Sequence, residues 1–387
     1  MDFELTPEQR AFRQVLREFV DERIRPVARE WEATDRYPTE IVEGMKELGL
    51  FGMTVPAEYG GLGLDMVSFA LVFEEISRGW MGVAGILGSH SLSCWMINRH
   101  GTEEQKRRYL PELATGQRRT GIALTEPDAG SDLQGISTTA RRDGDHYVVN
   151  GTKMWITNAR HADPLPVLVK TDPTAQPAHR GMSVLLVEQG TPGFHVLRDL
   201  PKLGYKGTES CEVLLSDCRV PAANLLGGVE GRGLQQVLSA LEIGRLNVAA
   251  RAVGVAQAAY DEALAYARTR RAFGKPIGDF QAIQIKIADM AMKVQAARLL
   301  VYWAASRADA GHRVDAEAGI AKAFASEAAQ ECAILAMHVH GGYGYSKEFV
   351  VERLYRDAPL MSIGEGTNDI QRLVIARRLL AGEARIG

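Results

Sequence analysis

Apolar residues recur at helical spacing through the first third of the chain. Phe12, Leu16, Phe19 and Ile24 fall on one side of a helix, and charged residues occupy the other side. The preceding Thr6-Pro7-Glu8-Gln9 is typical of a capping box with proline at the first helical position. Further helices are predicted near residues 39–48, 65–79, 82–99 and 102–115, the last ending at Gly116.

The pattern changes near residue 118 to short β-rich runs. Strands are predicted at residues 166–170, 182–187, 193–197 and 211–215, separated by Gly, Pro, Asp and Ser. Two further runs flank Asn150-Gly151, which predicts a β-hairpin with a type I′ turn at that dipeptide. The glycines from Gly227 to Gly233 predict a hinge.

Long Ala-rich helical segments follow at residues 234–268, 280–310 and 316–340, and each is long enough for a helix of a bundle. The order of elements predicts an α+β multidomain protein. Residues 1–117 would form a helical domain, residues 118–233 a small β-domain, and residues 234–387 a second helical domain.

Composition narrows the class of protein. The formal net charge of −3 gives no basis for binding nucleic acid or an anionic membrane. No segment is apolar enough to span a bilayer, and the N-terminus lacks the features of a signal peptide, so we expect a cytoplasmic protein. The four cysteines include no CxxC pair, which argues against a disulfide framework or a zinc site.

One carboxylate stands out because it lies between two glycines. Glu365 is flanked by Gly364 and Gly366, and the predicted start of a helix follows at Thr367. A carboxylate free of bulky neighbours can reach a ligand, and the first turn of the helix offers N–H groups to a phosphate. On this stretch alone, a capping glutamate in an ordinary glycine loop is the better explanation.

Three other stretches carry candidate ligand contacts. The turn from Leu124 to Asp132 offers backbone and hydroxyl donors, although it also reads as a self-bonded turn. Trp155 and Thr157 share a strand face that suits a flat heterocycle, although strand tryptophans usually lie in a core. The basic segment 268–275 could clamp a diphosphate or simply be solvated.

Other chemistries are not supported. The chain contains no GxSxG, HExxH, P-loop or GxGxxG motif in the required context. His338 and His340 are two residues apart and point to different faces of a helix, so a metal site is not expected there.

Taken together, these motifs resemble the acyl-CoA dehydrogenase family over essentially the whole chain. The resemblance rests on residues 124–132, on Lys153 to Asn158, on Arg270 to Lys275, on Gly341-Gly342-Tyr343-Gly344, and on Arg356-Asp357-Ala358 followed by Glu365-Gly366-Thr367. It implies an N-terminal helical domain, a middle β-barrel or sandwich domain and a C-terminal four-helix bundle. It also implies a homotetramer with FAD in each subunit.

The resemblance further implies a reaction. Glu365 matches the base that takes the α-proton of an acyl-CoA thioester, while the β-hydride goes to flavin N5 and leaves a trans-2-enoyl-CoA. The Glu365 backbone N–H and a flavin ribityl hydroxyl would polarise the thioester carbonyl. Electrons would pass to an electron-transferring flavoprotein. Some relatives carry the base on the long helix after the β-domain, where this chain has Gly244.

The same resemblance assigns ligand contacts to individual positions. Flavin contacts match Leu124, Thr125, Gly130, Ser131, Trp155 and Thr157, and contacts to a neighbouring subunit's FAD match Arg270, Phe273, Gln281, Gly341 and Gly342. Thr367 and Asp369 match the region of the diphosphate, and Ser131, Glu242, Arg245, Gly364 and Gly366 match positions near the substrate.

Three positions depart from the family pattern. Gly364 stands where tyrosine is common, which should widen the pocket for a branched or bulky acyl group. His338 replaces a glutamine that contacts FAD, and Ala272 replaces a hydroxyl residue. A same-fold acyl-CoA oxidase, a flavin monooxygenase and a non-catalytic or DNA-associated member are the alternatives. DNA-associated relatives carry a basic C-terminal extension, whereas Arg377, Arg378 and Arg385 are the basic residues at this end.

Overall fold

The computed structural model describes residues 4–383. The outermost residues of the two predicted helical domains, 1–3 and 384–387 with Arg385, lie outside this range. Within it, no helix has both the length and the apolar character needed to cross a membrane.

The first part of the chain is helical, as predicted. Its helices are α1 (Pro7–Phe19), α2 (Arg25–Ala33), α3 (Thr39–Glu47), α4 (Met66–Gly79), α5 (Met81–His100) and α6 (Glu103–Thr115). The capping box forms at the start of α1, where the Thr6 hydroxyl accepts from the Gln9 N–H at 3.2 Å and the Gln9 side chain accepts from the Thr6 N–H at 3.1 Å. Gly116 ends α6 with a left-handed φ of 74°. Local periodicity and capping therefore fix this region.

The middle of the chain forms one six-stranded sheet. The strands are β1 (Thr139–Asp143), β2 (His146–Thr157), β3 (Leu165–Lys170), β4 (Met182–Val187), β5 (Phe194–Asp199) and β6 (Ser210–Pro221), in the order β4-β3-β1-β2-β6-β5. The single parallel pairing of described strands joins β1 and β3. The side chains of β4 are buried on both faces, because one face packs within the sheet's own core and the other against helical residues.

The hairpin predicted at Asn150-Gly151 is wrong. Both residues lie inside the continuous strand β2, at an irregularity in its pairing with β6. The side chain of Asn150 exchanges hydrogen bonds with Asp217 across the sheet, at 2.8 and 3.1 Å. A Cβ atom at Gly151 would overlap the Thr138 side chain, so close approach of the chain, not a turn, requires this glycine.

The C-terminal part is again helical. It contains α7 (Gly233–Thr269), α8 (Gln281–Asp309), α9 (Asp315–His340), α10 (Val351–Asp357), α11 (Leu360–Ile363) and α12 (Asn368–Leu380). A small hairpin of β7 (Arg271–Ala272) and β8 (Lys275–Pro276) joins α7 to α8. Its turn residues Phe273 and Gly274 both have positive φ, 50° and 82°, as a type I′ turn requires.

The helices at the two ends of the chain share one hydrophobic core. Leu16, Phe73 and Leu87 from the first part pack in the same cluster as Val253 and Ala329 from α7 and α9. The sheet has a separate core, and a third cluster joins α5 and α6 to the helix-facing side of the sheet. The long helix α7 therefore packs against helices from both the first and the last part of the chain. The loop before α12 also lies against α7.

Candidate active site

Glu365 lies in the loop between α11 and α12, in a backbone conformation that L-residues rarely adopt. Its φ is 56°, and that of Gly366 is 85°. Side chains from two helices hold this loop. Gln371 donates to the carbonyls of Glu365 and Gly366 at 3.3 and 3.0 Å, and the Lys322 ammonium donates to the Gly366 carbonyl at 2.8 Å. Such strain persists only where the surroundings fix it, and it is common at functional sites.

The helix start predicted beside Glu365 forms at Thr367. The Thr367 hydroxyl accepts from the Ile370 N–H at 3.3 Å and so caps α12. Asn368 turns inward, where its side chain accepts from Lys322 at 3.0 Å, whereas Asp369 is exposed. Of the two positions predicted near a diphosphate, Thr367 is therefore engaged in capping and Asp369 faces outward.

One oxygen of the half-buried Glu365 side chain is buried and unpaired. Its Oε2 atom is buried and has no hydrogen-bond partner among residues 4–383. Burial raises the pKa of Glu365, while Arg251, Lys322 and Arg245 oppose that rise. The opposite wall is Gly244 of α7, where a Cβ atom would lie only 2.6 Å from Oε2. Gly244 thus leaves the space that the carboxylate occupies.

Cations surround this carboxylate without touching it. Lys322 is fully buried, and burial lowers its pKa to about 8 although the nearby Glu365 opposes the shift. Arg245 is 7% exposed, and its Nε and Nη1 atoms lack partners within the described chain. Burial, followed by the charge of Asp315, raises the pKa of the predicted substrate neighbour Glu242. The site therefore pairs buried charge with unused hydrogen-bonding capacity.

The backbone conformation at position 364 does not require glycine. Its φ is −67°, and a Cβ atom there would meet nothing closer than the Leu360 carbonyl oxygen at 3.4 Å, an ordinary contact. A larger residue would fit this conformation. The missing side chain at Gly364 therefore leaves space beside Glu365. Gly366, by contrast, is needed for its positive φ.

The loop at Leu124–Ser131 is fixed by a buried ion pair. Lys153 donates to the Leu124 carbonyl at 3.0 Å and to the Glu126 carboxylate at 2.9 Å. Within residues 4–383, no acceptor takes the N–H groups of Gly130 and Ser131, both of which are exposed. A rigid loop with free N–H groups fits an anionic or heterocyclic ligand such as a flavin nucleotide.

Trp155 and Thr157 border the same region from β2. Trp155 is 56% exposed, with a φ of 64° at a bulge in the β2–β6 pairing, and the intervening Ile156 is buried. An exposed indole held at a strained bulge is available for stacking on a flat ring. Burial raises the pKa of the neighbouring Tyr205, and the charge of Arg251 and a hydrogen bond with Thr157 oppose the rise.

The predicted contacts to a second FAD gather elsewhere, at the ends of α7 and α9. Arg270, Gly341 and Gly342 line one cavity of about 590 Å³, and the Arg270 guanidinium lies 5.6 Å from the centre of the Tyr343 ring. Phe273 is 94% exposed at the tip of its hairpin. Gln281 and His338 are also exposed, on α8 and in the last turn of α9, but do not line this cavity.

Sequence reasoning did not single out three residues near Glu365. Arg251 and Lys322 are solitary cations in apolar stretches of α7 and α9, and that isolation is the signal that could have identified them. Tyr205 gives no comparable signal. It is brought to the site by a loop before β6 and is buried there with a φ of 57°.

Comparisons with known proteins agree over the whole chain. The N-terminal, middle and C-terminal domain families of acyl-CoA dehydrogenase match residues 6–117, 121–218 and 231–380. The chain is 46% identical over 382 residues to the probable acyl-CoA dehydrogenase YngJ of Bacillus subtilis, covering 98% of this chain and 100% of that protein.

Solved structures show the same similarity. Butyryl-CoA dehydrogenase from Megasphaera elsdenii superposes with a TM-score of 0.95 at 38% identity, over 98% of this chain and 100% of that one. A chain from a study of the electron transferring flavoprotein of Acidaminococcus fermentans gives the same TM-score, identity and coverage. The predicted fold class and family are thereby confirmed. The chain belongs to the acyl-CoA dehydrogenase family of FAD-dependent oxidoreductases.

Proposed function

We propose that Glu365 is the base that removes the α-proton of an acyl-CoA thioester, so that the chain produces a trans-2-enoyl-CoA. The observation that carries this assignment is the enclosed, unpartnered Glu365 carboxylate at a strained backbone position. A base needs a free lone pair aimed at the proton it accepts, and a hydrogen-bonded carboxylate would have to give up a partner first.

The electrostatics around Glu365 suit this role. Burial raises the pKa of the carboxylate and makes it a stronger base, while Arg251, Lys322 and Arg245 keep enough positive charge nearby to favour the ionised form. The Glu365 backbone N–H would donate to the thioester carbonyl oxygen and so acidify the α-carbon. FAD, when bound, supplies the acceptor for the β-hydride.

The residues proposed to hold FAD form two groups. The N–H groups of Leu124, Thr125, Gly130 and Ser131, with Trp155 and Thr157, would bind the flavin of the same subunit. Arg270, Phe273, Gln281, His338, Gly341 and Gly342 would bind FAD of a neighbouring subunit, and Thr367 and Asp369 would lie near its diphosphate. The exposure of this second group leaves it open to a partner chain, and the family resemblance suggests that the assembly is a homotetramer.

The partner and the acyl group are also part of the proposal. We infer that electrons leave through an electron-transferring flavoprotein, and the similarity to the A. fermentans chain supports this inference. Ser131, Glu242 and Arg245 would contact the substrate near its thioester. The open space at Gly364 would admit a branched or bulky acyl group, and Gly366 would lie beside it.

The test is Glu365→Gln in the purified holoenzyme, mixed anaerobically with a panel of acyl-CoA thioesters. We expect FAD content and the visible spectrum to be retained, but the rate of flavin bleaching to fall by roughly 10²- to 10⁴-fold. The exposed Glu47→Gln on α3 is the matched control and should bleach at the wild-type rate. If flavin in Glu365→Gln bleached at the wild-type rate, Glu365 could not be the base.

A further inference from the structure

Arg251 is a solitary cation inside an otherwise apolar part of α7. It is 6% exposed, and the residues on either side, Ala250 and Ala252, are buried. It lies seven residues after Gly244, which is about two helical turns and roughly 10 Å along the axis on the same face. The wall that faces the Glu365 carboxylate therefore continues to a buried guanidinium.

The Arg251 guanidinium uses few of its hydrogen-bond donors. It donates to the thioether sulfur of Met81 at 2.8 Å and forms a hydrogen bond with the Tyr205 hydroxyl, while its Nε is buried without a partner within the described residues. No carboxylate of residues 4–383 lies within 4.0 Å of it. A guanidinium has five N–H donors and a thioether is a weak acceptor. Burying such a charge without an anion is costly.

Arg251 faces the same interior space as Glu365. It is the cation that most strongly opposes the burial-driven rise of the Glu365 pKa. Tyr205 is close to Arg251, with its ring centre 5.0 Å from the Arg251 Cζ atom, and its pKa responds to Thr157, Arg251 and Glu365. The predicted flavin contact Thr157, the base and Arg251 thus border one region, reached through Tyr205.

The charges of this region do not balance. Lys322 donates to the Gly366 carbonyl and to Asn368, and Arg245 lies in the field of Glu242 and Asp315. For Arg251 the nearby carboxylate is Glu365, which the reaction requires to be free and which forms no ion pair with it among the described residues. Arg251 therefore has no carboxylate paired with it among residues 4–383.

We propose that Arg251, with the adjacent Tyr205, binds a terminal carboxylate on the acyl group, so that the preferred substrates are CoA thioesters of short dicarboxylic acids. This inference rests on the proposed function of Glu365, which sets where the thioester end of the acyl group lies. The distal carboxylate supplies the missing anion, and a bidentate pairing of guanidinium with carboxylate orients the chain. The carboxylate itself takes no part in the bond changes at the α- and β-carbons.

The test uses matched thioesters that differ only in the terminal group: butyryl-CoA against succinyl-CoA, and pentanoyl-CoA against glutaryl-CoA. Anaerobic flavin reduction gives kcat/KM for each. We expect the wild type to have the higher kcat/KM on the carboxylated member of each pair. In Arg251→Met, kcat/KM should fall roughly 10- to 100-fold on that member alone. Arg251→Lys keeps the positive charge but loses the planar guanidinium that can pair with both carboxylate oxygens, so it should retain part of the preference.

Arg353→Met is the matched control. Arg353 is also a buried arginine with an unpartnered Nε, but it donates to the Gly79 carbonyl, so its loss should leave the ratio within each pair unchanged. An equal loss on both members of each pair in Arg251→Met would show that Arg251 serves only as a counter-ion of Glu365, and would overturn the inference.

A binding measurement separates this inference from the proposed reaction. Calorimetric titration of Glu365→Gln and Glu365→Gln/Arg251→Met with the same thioesters needs no turnover. Loss of succinyl-CoA and glutaryl-CoA affinity in the double variant would support the Arg251 site even if another residue were the base. Equal affinities in the two proteins would overturn it, whatever the role of Glu365.

Discussion

Two carboxylates in this molecule, the buried Glu126 and the half-buried Glu365, have opposite surroundings. Glu126 accepts from Lys153 at 2.9 Å, from the Ser137 N–H and hydroxyl at 2.6 and 2.7 Å, and from the Thr138 N–H at 3.0 Å. Burial raises its pKa, but Lys153 and these hydrogen bonds outweigh burial and bring the pKa to about 2. Glu365 also lies near a buried lysine, yet its Oε2 has no partner in the described chain and its pKa is raised.

The difference separates a structural charge from a reactive one. A fully satisfied buried network fixes a conformation, and around Glu126 it fixes the loop whose free N–H groups face the predicted flavin site. An unsatisfied buried carboxylate destabilises the fold, so its retention requires another reason. The cations near Glu365 are bonded to carbonyls, a thioether or nothing at all, which leaves the carboxylate free for a proton.

Breaking the satisfied pair should have the largest effect on stability. Glu126→Gln leaves the Lys153 charge buried without a counter-ion, and we expect the free energy of unfolding to fall by roughly 3–5 kcal/mol, with loss of FAD. Thermal and urea unfolding of the holoenzyme measure this. Glu43→Gln, which breaks the more exposed pair with Lys46, is the control and should cost roughly 1 kcal/mol or less.

The Glu126–Lys153 pair also predicts how the stability of the fold changes at low pH. The folded-state pKa of Glu126 is about 2, below the roughly 4.3 of an unfolded glutamate. Its stabilisation is therefore complete above about pH 4.3 and is lost as pH falls towards 2. Glu126→Gln should lack this part of the wild-type acid dependence, and an identical acid profile in the two proteins would contradict the pairing.

Crowding the reactive carboxylate should reduce activity without a comparable loss of stability. In Gly244→Ala the new Cβ would lie 2.6 Å from Glu365 Oε2 and 2.9 Å from Leu92 Cδ2, so both side chains must move. We expect kcat/KM to fall roughly 100-fold, since displacement of a reacting group by about 1 Å has that effect. In Gly364→Ala the Cβ meets only an ordinary contact, so Glu365 should stay in place, and any loss of activity should grow with the size of the acyl group.

Removing a neighbouring cation should have the smallest effect. Lys322→Met removes a charge that opposes the burial-driven rise of the Glu365 pKa, so that pKa should rise further. Because the base must be ionised to accept a proton, the acidic limb of the kcat/KM profile should move to higher pH. The surface Lys46→Met, which breaks a pair with Glu43, should leave the profile unchanged. A shift to lower pH in Lys322→Met would contradict the account.

Most of the fold could be predicted from the sequence because its helices are locally encoded. The capping box at Thr6 and the terminating Gly116 act within a few residues of themselves. The hairpin at Asn150-Gly151 failed because tertiary contact decides that position: Gly151 is needed for the approach of Thr138. A type I′ turn forms instead at Phe273-Gly274, where the local preference is weaker.

The candidate site was only partly predictable for the same reason. The flanking glycines drew attention to Glu365 in the sequence, and the family resemblance assigned it as the base. Its surroundings come from distant parts of the chain, since Lys322 bonds to a residue 44 positions away and Gly244 faces Glu365 from another helix. Arg251 bonds to Met81, 170 positions away. Periodicity reveals which face of a helix is buried, but not which charges meet there.

The most direct test of Glu365 as the base follows α-proton exchange alone. A CoA thioester with sulfur in place of its β-methylene cannot lose a β-hydride, so proton removal is observed without oxidation. In deuterated buffer, NMR should show the FAD-bound wild type exchanging the α-protons of this analogue, and Glu365→Gln exchanging them roughly 10²- to 10⁴-fold more slowly. Exchange at the wild-type rate in Glu365→Gln, with the analogue bound equally well, would contradict the assignment.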